Sequence, residues 1–131
     1  MNILVVDDDM IIRMVLSKYF KGKNFDVTIS ENGEDAYNQF LDSQDTFDII
    51  ITDIMMPIMN GIELAKKIKE KQPNLPIIAI TAGDLDQIKG FEQFFEEIFN
   101  KPIELAKLHQ VVIQLNPNGT IQYPSDKPHI F

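Results

Sequence analysis

Ile3-Leu4-Val5-Val6-Asp7-Asp8-Asp9 sets four apolar residues directly ahead of three acids. An unbroken apolar run of strand length reads as a strand buried on both faces, the pattern of a parallel sheet covered by helices. Residues 48–52 and 76–80 repeat that pattern. Residues 25–30 alternate more, and residues 98–100 supply a short fifth run ahead of Lys101 and Pro102. Between the runs, apolar residues recur at helical spacing. They are Ile12, Val15, Leu16, Tyr19 and Phe20, then Ala36, Tyr37, Phe40 and Leu41, then Leu64, Ala65 and Ile68, and last Leu105, Leu108, Val112 and Leu115. Asn32 with Asp35, Asn60 with Glu63 and Asp84 with Gln87 are capping signals, and Pro102 suits a first helical turn.

Five strands alternating with five helices predict an open α/β sheet with helices on both faces and strand order 2-1-3-4-5. In that class a ligand sits at the carboxyl ends of the strands, where the order reverses around strands one and three. The chain of 131 residues fits one domain over residues 1–115. Three of the seven prolines and the turn signal Asn116-Pro117-Asn118-Gly119 mark residues 116–131 as a tail or linker stub.

Composition excludes several classes. Twenty Asp and Glu against twelve Lys and Arg give a net charge of -8, which repels phosphate backbones and argues against direct nucleic-acid binding. There is no cysteine, hence no disulfide, no thiolate zinc site and no cysteine nucleophile. No apolar run approaches the roughly 18 residues that a membrane span needs, and no basic leader precedes Asp7. A cytoplasmic protein is expected.

Asp7, Asp8 and Asp9 follow the first strand and Asp53 the third, so the fold brings them to one crevice. A single Asp in such a place is ordinarily a turn former or helix cap. Several converging carboxylates repel one another unless a cation offsets them, and hard oxygen ligands suit Mg²⁺ or Mn²⁺. Thr81 and Lys101 stand at the ends of strands four and five. An ammonium and a hydroxyl beside a divalent ion make a place for a phosphoryl group.

The segments Ile3 to Asp9, Asp53-Ile54-Met55-Met56-Pro57-Ile58-Met59-Asn60-Gly61, Thr81-Ala82-Gly83 and Lys101-Pro102 together resemble a receiver domain of a two-component response regulator, over residues 2 to about 115. The resemblance implies a flavodoxin-like (βα)5 fold. It implies that Asp53 accepts a phosphoryl group from a histidine kinase or phosphotransfer protein. Asp8 and Asp53 would bind Mg²⁺ directly, Asp7 through water, and the backbone carbonyl of Met55 would add a ligand. Thr81 and Lys101 would contact phosphoryl oxygens, and the Lys101-Pro102 bond would be cis. Asp9 is left with capping the first helix. Met55, Met56 and Met59 read as ordinary packing, and neither His109 nor His129 has metal-ligand company.

The chain also departs from that family. Where the family carries a Gly-Ala pair and an aromatic ahead of its lysine, Phe94, Phe95 and Ile98 stand here. The neighbouring Phe99 should face the opposite side of the sheet. Phe91, Phe94, Phe95 and Phe99 read as core packing or as a docking patch, and Gly90 should weaken the fourth helix. The expected function is a phosphorylation-dependent switch, with no turnover on external substrates. Its output would pass through the face of the fourth helix, fifth strand and fifth helix to a partner protein or a second copy, since no effector domain follows residue 115. Two alternatives remain open, a haloacid-dehalogenase-like phosphatase using Asp7 and an adaptor that needs no phosphorylation. A flavin-binding module would want hydroxyls and amides where the acids stand.

Overall fold

The structure is a computed structural model that describes residues 1–43, 46–83 and 85–115. The five strands are β1 (Asn2–Val6), β2 (Asp26–Ser30), β3 (Ile49–Asp53), β4 (Ile77–Thr81) and β5 (Glu97–Asn100). They form one parallel sheet in the order β2-β1-β3-β4-β5. The helices are α1 (Met10–Lys21), α2 (Gly33–Ser43), α3 (Gly61–Lys71) and α4 (Leu105–Gln114). The central strands β3 and β4 are buried at every position, as their continuous apolar runs require.

Alternation along each strand divides the core into two layers. Leu4, Val6, Ile50, Ile77 and Ala79 pack against Ala36 and Phe40 of α2 and Leu64, Ala65 and Ile68 of α3. Ile3, Val5, Ile49, Ile51, Ile78 and Ile80 face Leu16 and Phe20 of α1 and Leu108, Val111 and Val112 of α4. Val15 and Leu41, read from spacing as core positions, are instead 44% and 40% exposed. Each stands at the margin of its helix's apolar stripe, beyond the reach of the sheet.

Capping follows the sequence where it is described. Asp9 Oδ1 accepts from Ile11 N, Asn32 Oδ1 from Asp35 N, and Asn60 and Glu63 form a reciprocal capping box. The edge strand β2 turns its outer side to Gln39, whose Nε2 donates to the Ile29 carbonyl at 3.1 Å and to Ser30 Oγ. The Ser30 carbonyl points the other way and accepts from Asp7 N.

Two expectations fail. Among the described residues no α-helix joins β4 to β5. The connection consists of two 3-10 turns, Leu85–Gln87 and Glu92–Phe94, separated by Gly90 at φ +89. A residue in that region cannot continue a right-handed helix, and Ile88 and Phe95 bury themselves directly in the α2–α3 layer. Pro102 also lies outside a helix, because α4 begins at Leu105 with Glu104 as its N-cap. The chain spends residues 101–104 passing from the end of β5 to the layer where Leu108 and Val111 bury. Lys101-Pro102 is cis. The expected tail at residues 116–131, His129 and the cap at Asp84 fall outside the described residues.

Candidate functional site

Asp53 closes β3 and Thr81 closes β4, each as the last residue of its strand, while Asp7 and Lys101 come one residue beyond β1 and β5. In register Asp53 pairs with Ile80 and Thr81 with Asn100, so all four residues share one end of the sheet. Carboxylate oxygens of Asp7, Asp8 and Asp53 lie within 4.8 Å of one another. Asp8 is exposed, whereas Asp7 is fully buried and Asp53 is 5% exposed. Asp9 turns away to cap α1.

Each oxygen in the cluster has a distinct environment. Asp53 Oδ1 accepts from Ile54 N at 2.9 Å, and Oδ2 lies 3.7 Å from the Lys101 ammonium. Asp7 Oδ1 accepts from Asp9 N. Asp7 Oδ2 is buried and lacks a well-directed hydrogen bond among the described residues, although Lys101 Nζ stands 3.0 Å away and compensates its charge. Arg13 is engaged with the Asp7 carbonyl. Burial lifts the Asp53 carboxyl to about 6, aided by the Asp7 charge and opposed by Lys101 and Ile54 N. Burial likewise raises Asp7. Burial would depress the Lys101 ammonium, yet the carboxylates of Asp7 and Asp53 beside it outweigh that and hold it above its ordinary value.

Among the described residues Lys101 pairs with Asp7 and Asp53, while Asp8 adds a third carboxylate beside them. Their closely spaced oxygens and the poorly satisfied Asp7 Oδ2 suit a small, hard divalent ion, which would supply the missing positive charge. Thr81 is buried and its hydroxyl accepts from Gly83 N at 3.1 Å, while its carbonyl accepts from Lys101 N at 2.9 Å. The end of β4 is thereby tied to the lysine. Met55 sits two residues beyond Asp53 with its side chain 56% exposed, so it departs from the packing role expected of the three methionines. Met56 and Met59 do pack against the α2–α3 layer.

The phenylalanines do not form one patch. Phe95 is buried in the α2–α3 layer and Phe99 in the α1–α4 layer, the opposite faces that alternation requires. Ile98 joins Phe94 at the α2–α3 layer. Phe91 and Phe94 are half-buried beneath the Lys66 ammonium, which lies 4.4 Å and 6.0 Å from their ring centres. His109 lies away from the acids, among the ring edges of Tyr19, Phe20 and Phe25. Sequence reasoning missed Gly33 and Ile58, which shape the loop after Asp53. Positive φ in a β-branched residue carries no sequence signal of its own.

The family model described as the response regulator receiver domain matches residues 3–113. The chain belongs to that family. It is 37% identical over 103 residues to the transcriptional regulatory protein ResD of Bacillus subtilis, covering 77% of this chain and 42% of that protein. It is 36% identical over 110 residues to a cyclic di-GMP phosphodiesterase of Thermotoga maritima, covering 82% of this chain and 29% of the relative. The chain thus spans less than half of either relative. Among solved structures it resembles the response regulator protein TrrA of Thermotoga maritima in complex with Mg²⁺-BeF, with TM-score 0.80 and 31% identity over 87% of this chain and 97% of that one. It also resembles a response regulator receiver domain protein of Clostridium thermocellum, with TM-score 0.81 and 25% identity over 87% and 92% of the two chains. No helix among the described residues is long and apolar enough to cross a membrane.

Proposed function

We propose that Asp53 accepts a phosphoryl group from a phosphohistidine on a kinase or phosphotransfer protein, and that the phosphorylated chain controls a partner protein or pairs with a second copy. The observation that carries this reading is the unequal treatment of the Asp53 oxygens. Oδ1 is held by Ile54 N, so Oδ2, facing Lys101, is the free nucleophile. As the Oδ2–P bond forms, the P–N bond of the donor breaks and its electron pair leaves with the imidazole nitrogen. A carboxyl near 6 is largely ionised at neutral pH, as attack requires. Lys101 and the Thr81 hydroxyl receive the phosphoryl oxygens. Mg²⁺, or Mn²⁺ in its place, would be held by Asp7, Asp8, Asp53 and the Met55 carbonyl. When bound it supplies the positive charge that lets an anionic donor approach three acids.

The dehalogenase-like alternative needs Asp7 as nucleophile. That side chain is fully buried where Asp53 keeps 5% exposure, and its Oδ2 stands nearer Lys101, at 3.0 Å against 3.7 Å for Asp53. Output is assigned to residues 83–99 together with α4. Because the described residues of this connection form 3-10 turns in place of an α-helix, Thr81 movement would travel through backbone and Ile98 without an aromatic rotamer change. Residues 116–131 complete the reading as a linker or tail. A cytoplasmic setting fits a phosphodonor that is recharged by ATP.

Incubation with acetyl phosphate and Mg²⁺, followed by mass spectrometric mapping, tests the assignment. Labelling of Asp53 alone is expected, lost in Asp53→Asn and on chelation of the metal. Labelling of Asp7 or Asp8 in that variant would overturn it.

A further inference from the structure

The loop from Asp53 to Gly61 is fixed at two points by glycines. At its neck Gly61 N donates to the Ile54 carbonyl at 2.9 Å, and a methyl built on Gly61 would fall inside 3.0 Å of the Asp53 carbonyl oxygen. At its tip Ile58 has φ +72, and Met59 N donates to the Pro57 carbonyl at 2.8 Å. That combination is a γ-turn of the strained hand, held here by a β-branched residue that disfavours it. Something outside the loop must hold it. Gly33, the first residue of α2, donates its N–H to the Met59 carbonyl at 3.0 Å. The first amides of a helix have no partner within the helix, so this bond uses a donor that α2 cannot employ itself. A methyl on Gly33 would lie inside 3.0 Å of the Met59 carbonyl oxygen and 2.9 Å from Met59 Cγ. Only glycine allows the approach.

From this geometry we infer that Gly33 is a positioning residue for the divalent-ion site: by clamping the loop tip at Met59 it sets the direction of the Met55 carbonyl, which lies between neck and tip. The inference rests on the metal reading above. A side chain at residue 33 pushes Met59 outward, and because the neck at Gly61 cannot yield, the displacement is taken up between residues 55 and 58. A ligand carbonyl that is misdirected weakens the ion as loss of an outer hydrogen bond does, by about tenfold.

The experiment is a Mg²⁺ titration of Gly33→Ala followed by NMR, with thermal unfolding measured with and without the ion. Affinity is expected to fall about tenfold and the Mg²⁺-dependent rise in Tm to shrink. Val112→Ala, in the opposite layer, should lower Tm while keeping the full rise. A purely structural role for Gly33 would give that second pattern and would overturn the inference. The wild-type protein provides a test that does not depend on folding of a variant. Coupling is reciprocal, so saturating Mg²⁺ must slow amide exchange at Gly33 while leaving Ala36, whose N–H is bound to the Asn32 carbonyl, unchanged. Equal exchange at Gly33 in the two states refutes the clamp. Absence of any Mg²⁺ response at Asp8 and Asp53 in the wild type would refute the metal reading itself and this inference with it.

Discussion

Asp53 holds a proton more tightly in the folded chain than in the unfolded one, because burial and the Asp7 charge penalise its ionised form. The sign follows directly. Its contribution to stability is complete near pH 4 and is lost as pH rises through about 6. In the absence of divalent ions that loss amounts to about 2–3 kcal/mol. Asp53→Asn should therefore be more stable than the wild type at pH 7 by up to that amount, with the difference vanishing near pH 4. Urea unfolding across the range measures it, and parallel pH profiles would contradict the cause. Ile58 presents a second residue-level cost. Its side chain is 73% exposed, so it gains little from burial while occupying a backbone region that opposes it. Ile58→Asn, which tolerates that region, should stabilise the chain by about 1 kcal/mol in denaturant unfolding.

Among the elements, the connection between β4 and β5 carries the most individual character. Ile88 is 1% exposed and Phe95 7%, and these two side chains hold a segment whose described residues form only short 3-10 turns. Ile88→Ala should cost about 2–4 kcal/mol, and amide exchange should rise chiefly across residues 85–96. Phosphorylation of Asp53 should alter exchange between residues 83 and 99, and unchanged protection there would exclude this segment as the output. The strands were legible in the sequence because buried parallel strands leave continuous apolar runs, and their polar ends name Asp53, Thr81 and Lys101. The helix expected after Thr81 was not, since its apparent cap competes with Gly90, whose positive φ only tertiary packing reveals. The clamp between Gly33 and Met59 was equally hidden, because it joins the start of α2 to the loop after β3 through backbone atoms alone.

At the scale of the whole molecule, a net charge of -8 is spread around two apolar layers, with three acids drawn together at one end of the sheet. Two ionic effects are separable. Sodium chloride should raise stability gradually by screening the general repulsion. Millimolar MgCl₂ should raise it further at matched ionic strength, and Asp8→Ala should remove only that additional increment, as thermal unfolding would show. Equal effects of the two salts would mean that the acids act as a diffuse field. The Gln39 amide on the outer side of β2 has a different consequence, one that concerns many molecules together. Open sheet margins are where chains template one another into fibres. Here the Ile29 carbonyl, on the unpaired side of the last strand, is already taken by Gln39, and the opposite margin is a strand of four residues. A neighbouring chain arriving at the β2 margin meets the Gln39 amide in place of one vacant carbonyl, and at the β5 margin it meets a run of only four residues.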